Sequence, residues 1–430
     1  MAKPDQKLIL QPKYVSLPVQ MEYSLITLKN GIRVLHKPAQ ESGIMHMCLV
    51  VNTGSRDETA EKAGLAHFIE HLLFKGTKKR NTYQILNRLE VVGADLNAYT
   101  TKEQTCIHAS FLNEHLERSL DLLTDIMFYS TFPENELEKE KGIVLDELDS
   151  YKDTPEEHIQ DEFDEIVFKG HVLGQNILGT PETIKAFKQS DIFNFVNDNY
   201  NTHEIVLGVY GNISEKKLQK LTEKYLGSIP ENNHKKNRVE ANGYSPQIIQ
   251  LEKNCNQSHC IIGSRSYNLT DSHKMGMLLL NNLLGGPGMS SKLNLEIRER
   301  FGACYTIESN FVPMTDTGMF SIYFGTDAEK TNRCIKLIHK ELKKLREQPL
   351  STLLLQQAKR RFKGQIALAE ESRISVIIAM SKSLLDYGRV DSLEEIFNKI
   401  DAVTSVELLE IANQNFDLAQ LSMLTFMPTE

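Results

Sequence analysis

A polar stretch from Gly227 to Pro246, including Ser228-Ile229-Pro230-Glu231-Asn232-Asn233-His234-Lys235-Lys236-Asn237, carries no apolar periodicity and divides the 430-residue chain into halves of similar size. Such a stretch reads as a linker. The halves look like a degenerate internal repeat. Each opens on strand-like runs, Ile32–Leu35 and Met47–Val51 in the first, Ile248–Leu251 and Cys260–Ile262 in the second. An apolar helix follows, around Leu65–Phe74 and around Met275–Leu284. Strands then precede an amphipathic helix: Cys106–Ala109 before Leu112–Met127, and Gly318–Ile322 before Thr331–Leu345. A strongly charged helix over Glu134–Ser150 corresponds to Leu353–Ala369. Mixed strands and helices, with neighbouring strands of hairpin type, predict an α+β fold rather than a doubly wound sheet. A chain this long exceeds one ordinary core. The expectation is two structurally similar domains, residues 1–228 and 247–430, joined by 229–246, each a mostly antiparallel sheet packed with helices.

The chemistry is concentrated in AGLAHFIEHLLFKGT. Leu65, Ile69, Leu72 and Leu73 recur at helical spacing with no proline inside. His67 and His71 stand at i and i+4 and project from one face. Their imidazoles can hold one metal ion. Glu70 flanks that face, where a carboxylate can take a proton from water beside the metal. Two histidines fall short of the three protein ligands of a catalytic zinc site. A third candidate is Glu147, 76 residues after His71 in the charged helix, where Glu140 shares its face. On the residue pattern alone, a glutamate in so acidic a helix also reads as a solvated side chain.

Other segments stay open at this level. Gly93-Ala94-Asp95-Leu96-Asn97-Ala98-Tyr99-Thr100 reads as a strand after a turn. Arg298 reads as a surface ion-pair partner and Tyr305 as half-buried core. Gly285-Gly286-Pro287-Gly288-Met289-Ser290 is glycine-rich, but it lacks the Gly-Lys-Ser/Thr ending of a phosphate loop. A flexible turn ahead of a helix is its plain reading.

Taken together, His67-x-x-Glu70-His71 and the later Glu147 resemble the pitrilysin and mitochondrial processing peptidase family, the metallopeptidases with an inverted zinc motif. The likeness is nearest to short, bacterial-type members and runs from about Leu25 to about Phe426. His171-Val172-Leu173-Gly174, Leu178-Gly179-Thr180 and Val209-Tyr210-Gly211-Asn212 are further matching landmarks. The resemblance implies one zinc ion per chain on His67, His71 and Glu147, with Glu70 as general base. It implies that Glu140 orients a ligand. It implies that substrate lies as an added strand along Asn97 and Ala98. The stretch Arg298-Glu299-Arg300-Phe301-Gly302-Ala303-Cys304-Tyr305 matches the family's Arg-Glu-x-x-Gly-x-x-Tyr, so Arg298 is expected to bind a substrate carbonyl and Tyr305 to donate to the oxyanion. The glycine-rich segment is similar to one that a processing-peptidase subunit uses in substrate handling. The second half looks like a copy that lost the metal and kept substrate contacts.

The expected function is that of a zinc-dependent endopeptidase acting on peptides or unfolded segments. Longer family members close four such domains into a clamshell, so two domains imply half of one. A homodimer, or a heterodimer with a related subunit, would complete the chamber. The alternative is a non-catalytic structural or peptide-binding subunit on the same fold; the intact metal motif argues against it.

Bulk properties fit. A net charge of −8 and pI of about 6.0 argue against nucleic acid as partner. No apolar run approaches a membrane span. The start of the chain is broken by Pro4, Pro12 and Pro18 and has neither signal-peptide nor transit character. Cys48, Cys106, Cys304 and Cys334 are isolated and expected as free thiols; Cys255 and Cys260, with His259 between them, could suggest a metal knuckle, but no second pair follows, and the cytoplasm is the expected compartment.

Overall fold

The structure is a computed structural model that describes residues 23–40 and 42–429. The proline-broken segment at the start lies outside the described residues. The first half contains strands β1 (Ser24–Thr27), β2 (Arg33–Pro38), β3 (Ile44–Val51), β4 (Asp95–Thr100), β5 (Thr105–Leu112) and β6 (Ile205–Gly211). Its helices are α1 (Leu65–Leu72), α2 (Thr82–Glu90), α3 (Leu116–Phe128), α4 (Glu134–Lys152), α5 (Pro155–Val167), α6 (Pro181–Ala186), α7 (Gln189–Asn199) and α8 (Glu215–Leu226). The second half contains β7 (Ile248–Lys253), β8 (Ser258–Ser266), β9 (Thr306–Pro313), β10 (Gly318–Thr326) and β11 (Ser422–Pro428). Its helices are α9 (Lys274–Gly285), α10 (Thr331–Glu347), α11 (Thr352–Ala369), α12 (Arg373–Tyr387), α13 (Leu393–Ala402) and α14 (Ser405–Asn415).

The repeat extends to strand order. The first sheet runs β1-β2-β6-β3-β5-β4 and the second β7-β11-β8-β10-β9. Without β1, the two orders coincide. In each half the last strand inserts between the first two, parallel to one and antiparallel to the other. The remaining pairings are antiparallel. One predicted boundary moves: β5 continues to Leu112, paired with Ile44, and α3 starts only at Leu116 after a 3-10 turn.

Each half lends one helix to the other. Helix α5 belongs to the first half but packs on β8 and β11 of the second sheet. Its stripe Ile159, Phe163 and Val167 sits with Ile261, Tyr323, Leu424 and Phe426 in one buried cluster. Its counterpart α12 packs on β6 and β3 of the first sheet. There Val376, Ile377, Met380 and Leu384 cover Leu35, Cys48, Val50 and Val206. Gly208 in β6 permits the close approach, because a Cβ there would stand 2.4 Å from Ser381 Oγ. Both faces of the central strands are thereby covered. This explains why β10 is buried along its whole length and reads as a continuous apolar run rather than an alternating one.

Residues 230–247 carry neither helix nor strand, but they are tied down. Arg238 Nε donates to Asp57 Oδ1 at 2.8 Å, and Lys236 Nζ pairs with Glu204 Oε2 at 2.9 Å. Arg56 adds an ion pair across the halves to Asp316, at 2.5 Å. All six cysteines are free thiols.

Candidate metal centre

Helix α1 is seated on the first-half core by its apolar side. Leu65, Phe68, Ile69 and Leu72 are at most 2% exposed and lock into the first-half core. The other side carries His67, Glu70 and His71. Helix α4 packs against it, with Leu137, Val144 and Leu148 buried in the first-half core. Glu140 shares that face and is 2% exposed, while Glu147 stands half-buried at its rim.

The structure brings the two histidines and Glu147 together. Ligand atoms of His67, His71 and Glu147 all lie within 4.8 Å of one another. His67 Nε2 is 3.8 Å from Glu147 Oε1, and His71 Nε2 is 3.5 Å from Glu147 Oε2. These separations are too long for good hydrogen bonds. They are close to the edge of a tetrahedron around zinc, roughly 3.4 Å for bonds of about 2.1 Å. His71 Nδ1 bonds to Glu140 Oε1 at 3.0 Å, which leaves Nε2 as the free lone pair on the side of Glu147. The donor set therefore fits one metal ion.

Electrostatics act in opposite directions on the two histidines. Burial, and then His71, lower the His67 pKa to about 3, so His67 is neutral, the form that binds a metal. Burial also disfavours charge on His71. The hydrogen bond to Glu140 and the charges of Glu147, Glu140 and Glu70 outweigh it, and the pKa rises. Glu140 is buried too, but bonds from His71 and Lys75 hold its carboxyl below the usual range. Burial raises the Glu70 pKa, partly opposed by Thr100.

Two contributors escape the sequence pattern. Thr100, at the end of β4, donates from Oγ1 to Glu70 Oε2 at 2.8 Å. Lys75 Nζ pairs with Glu140 Oε2 at 2.8 Å. The signal for Lys75 was its place four residues after His71. Thr100 gave none, since its meeting with Glu70 depends on how β4 packs on α1.

Comparison with known proteins agrees with this centre. Residues 33–181 match the family description "Insulinase (Peptidase family M16)", and residues 186–362 match "Peptidase M16 inactive domain". A protein of Bacillus subtilis named as an uncharacterized zinc protease is 33% identical over 390 residues, covering 91% of this chain and 95% of that protein. The chain belongs to the M16 peptidase family. A Mycobacterium leprae protein, also named as an uncharacterized zinc protease, is 31% identical over 395 residues, 90% of this chain and 88% of that one. The crystal structure of a protease from Helicobacter pylori shares the fold, with a TM-score of 0.87 at 22% identity, covering 95% of this chain and 99% of that one. All three metal-group residues lie in the first M16 match and none in the second.

The other residues singled out have their own surroundings. Asn97 and Ala98 sit on β4, the edge strand of the first sheet and a neighbour of α1. Asn97 Oδ1 accepts from the Ala98 N–H at 2.8 Å, occupying that backbone donor locally. Arg298 lies in the short π-helix Asn294–Glu299 and, among the described residues, has Glu299 as its ion-pair partner at 3.9 Å. It lines a cavity of about 480 Å³ with Gly285–Met289 and β9, the edge strand of the second sheet. The glycine-rich turn is anchored to α11 by Gln365, whose Nε2 donates to Pro287 O at 2.7 Å. Tyr305 is exposed, and its hydroxyl donates to Asp327 Oδ1 at 2.8 Å. Neither Arg298 nor Tyr305 has a hydrogen bond or ion pair to the metal group among the described residues. His259, once a conceivable ligand beside Cys255 and Cys260, is buried with Nδ1 on the Tyr323 hydroxyl. Among the described residues no helix is long and apolar enough to cross a membrane.

Proposed function

We propose that the protein is a zinc-dependent endopeptidase that hydrolyses peptides or unfolded segments. The observation that carries this is the convergence of His67, His71 and Glu147 within 4.8 Å, with Glu70 beside them on α1. Three protein ligands leave one coordination position open, the pattern of a catalytic rather than a structural zinc. The names of the relatives support zinc. An ion held there supplies Lewis acidity toward water and the scissile carbonyl.

The chain's own residues do the rest. Glu70 takes the proton of the attacking water and returns it to the leaving amine. Thr100 holds that carboxylate in place, and burial makes it a stronger base than an exposed glutamate. Glu140 and Lys75 orient His71. The edge strand β4 at Asn97 and Ala98 receives the substrate as an added strand, which takes over the Ala98 N–H from the Asn97 side chain. Arg298 binds a substrate carbonyl and Tyr305 donates to the oxyanion. In this reading residues 1–228 form the peptidase domain and 247–430 the substrate-contacting one.

Among the described residues Tyr305 and Arg298 pair with Asp327 and Glu299 and not with the metal group, and in this reading a second chain brings the pair to a centre. Two such chains, most simply a homodimer, close the chamber. The compartment proposed is the cytoplasm, which cell fractionation tests. A monomer in solution that cleaves folded protein would contradict the chamber.

The deciding assay is cleavage of an unstructured quenched-fluorescence peptide. Activity is expected to disappear with chelator and return with zinc. Tyr305→Phe is expected to lose about 10²-fold in kcat. Activity indifferent to chelator removes the zinc reading, and full activity in Tyr305→Phe removes the oxyanion role. A zinc-loaded protein inactive on a diverse peptide pool would favour the non-catalytic peptide-binding subunit.

A further inference from the structure

We propose that Glu58 is the positioning residue of the metal helix: its buried carboxylate sets the roll and depth of α1, and through them the distances of His67 and His71 from Glu147. The inference rests on the metallopeptidase reading above. Glu58 precedes α1 and is 6% exposed. Its Oε2 accepts the Gly64 N–H at 2.8 Å and its Oε1 the Ala66 N–H at 2.7 Å.

The first N–H groups of a helix have no partner inside the helix. Helix α1 has no side-chain cap at Gly64, so Glu58 does this work from six residues upstream. Two bonds to N–H groups two residues apart restrain roll at the start of the helix more than a single bond would, adding to the seat its apolar side takes in the core. The opposite side of the entry is closed by backbone. Gly64 has φ +93°, and a Cβ on it would lie 2.4 Å from Leu178 O. Thr183 Oγ1 donates to Ala63 O at 2.7 Å. The start of α1 is therefore held between Glu58 and the 178–183 segment.

A metal site is sensitive to such a restraint. An imidazole nitrogen lies roughly 6 Å from the helix axis, so a roll of about 10° moves it by about 1 Å. Metal bonds tolerate only about 0.2 Å. Burial raises the Glu58 pKa to about 8, opposed by the Ala66 and Gly64 N–H groups and by Lys102. The carboxylate has no part in the proposed reaction, and among the described residues its hydrogen bonds are the two to α1.

The test is zinc affinity, by competition with a chelating dye, for the wild type, Glu58→Ala, Glu58→Gln and Asn30→Ala. Asn30 is a control of similar burial whose Nδ2 donates to Leu226 O and Ile229 O at 2.8 and 2.9 Å, with no contact to α1. Glu58→Ala is expected to bind zinc about tenfold or more weakly. Glu58→Gln, which keeps one acceptor oxygen, should fall between, and Asn30→Ala should match the wild type. Wild-type affinity in Glu58→Ala overturns the proposal; if that variant does not fold, wild-type affinity in Glu58→Gln does so. Equal weakening in Asn30→Ala overturns it too, by showing an effect of general stability. A wild type that takes up no zinc sinks the metal reading itself, and the inference with it.

Discussion

Glu70→Gln is expected to lower kcat by about 10²–10⁴-fold while leaving zinc uptake intact. The amide keeps the size of the side chain, and its oxygen can still accept from Thr100 Oγ1, so α1 and β4 keep their packing. What it cannot do is accept and return a proton. His67, His71 and Glu147 are untouched, so metal content separates this variant from any that merely empties the site. Single-turnover cleavage beside zinc stoichiometry measures both quantities. Retained turnover would mean that another group serves as base and that Glu70 is only a neighbour.

The second large effect concerns stability. Phe163→Ala is expected to cost about 3–5 kcal/mol, since it removes a fully buried ring and leaves a cavity. Phe163 belongs to α5, which the first half extends onto the second sheet beside Tyr323 and Phe426. The reciprocal helix α12 covers the first sheet. Each half thus needs the other to cover one face, and the two should unfold in one transition, shifted to lower denaturant. Chemical denaturation followed by circular dichroism tests this. Separate transitions, or an unchanged midpoint, would show that the helix exchange adds little coupling.

Much of the architecture was legible before any coordinates. The repeated order of strands and helices predicted two similar α+β halves, and the structure shows the same strand order in both sheets. Helical periodicity located α1, α4 and α9–α11 to within a few residues, because amphipathic spacing is a local property of the chain. Strand β5 closes later than the sequence pattern suggests, since Leu112 fits both an alternating strand and the start of a helix. The inner position of β6 between β2 and β3, and of β11 between β7 and β8, was not legible. It depends on pairing across long separations that leave no local pattern.

The functional residues divide in the same way. The spacing of His67, Glu70 and His71 determines that they share one end of one helix, because 3.6 residues per turn brings i and i+4 together. The seven-residue interval places Glu140 and Glu147 on a common face. That these two helices meet, with Glu140 inside the seam and Glu147 at its rim, was decided only by the core beneath them. So were Thr100 on Glu70, Lys75 on Glu140 and the Glu58 brace on α1, each a contact between segments whose approach is set by packing. The sequence by itself determined which side chains could bind a metal and move a proton. The tertiary structure decided their distances, their burial and therefore their charge states, because solvation and long-range contact exist only once the chain is folded.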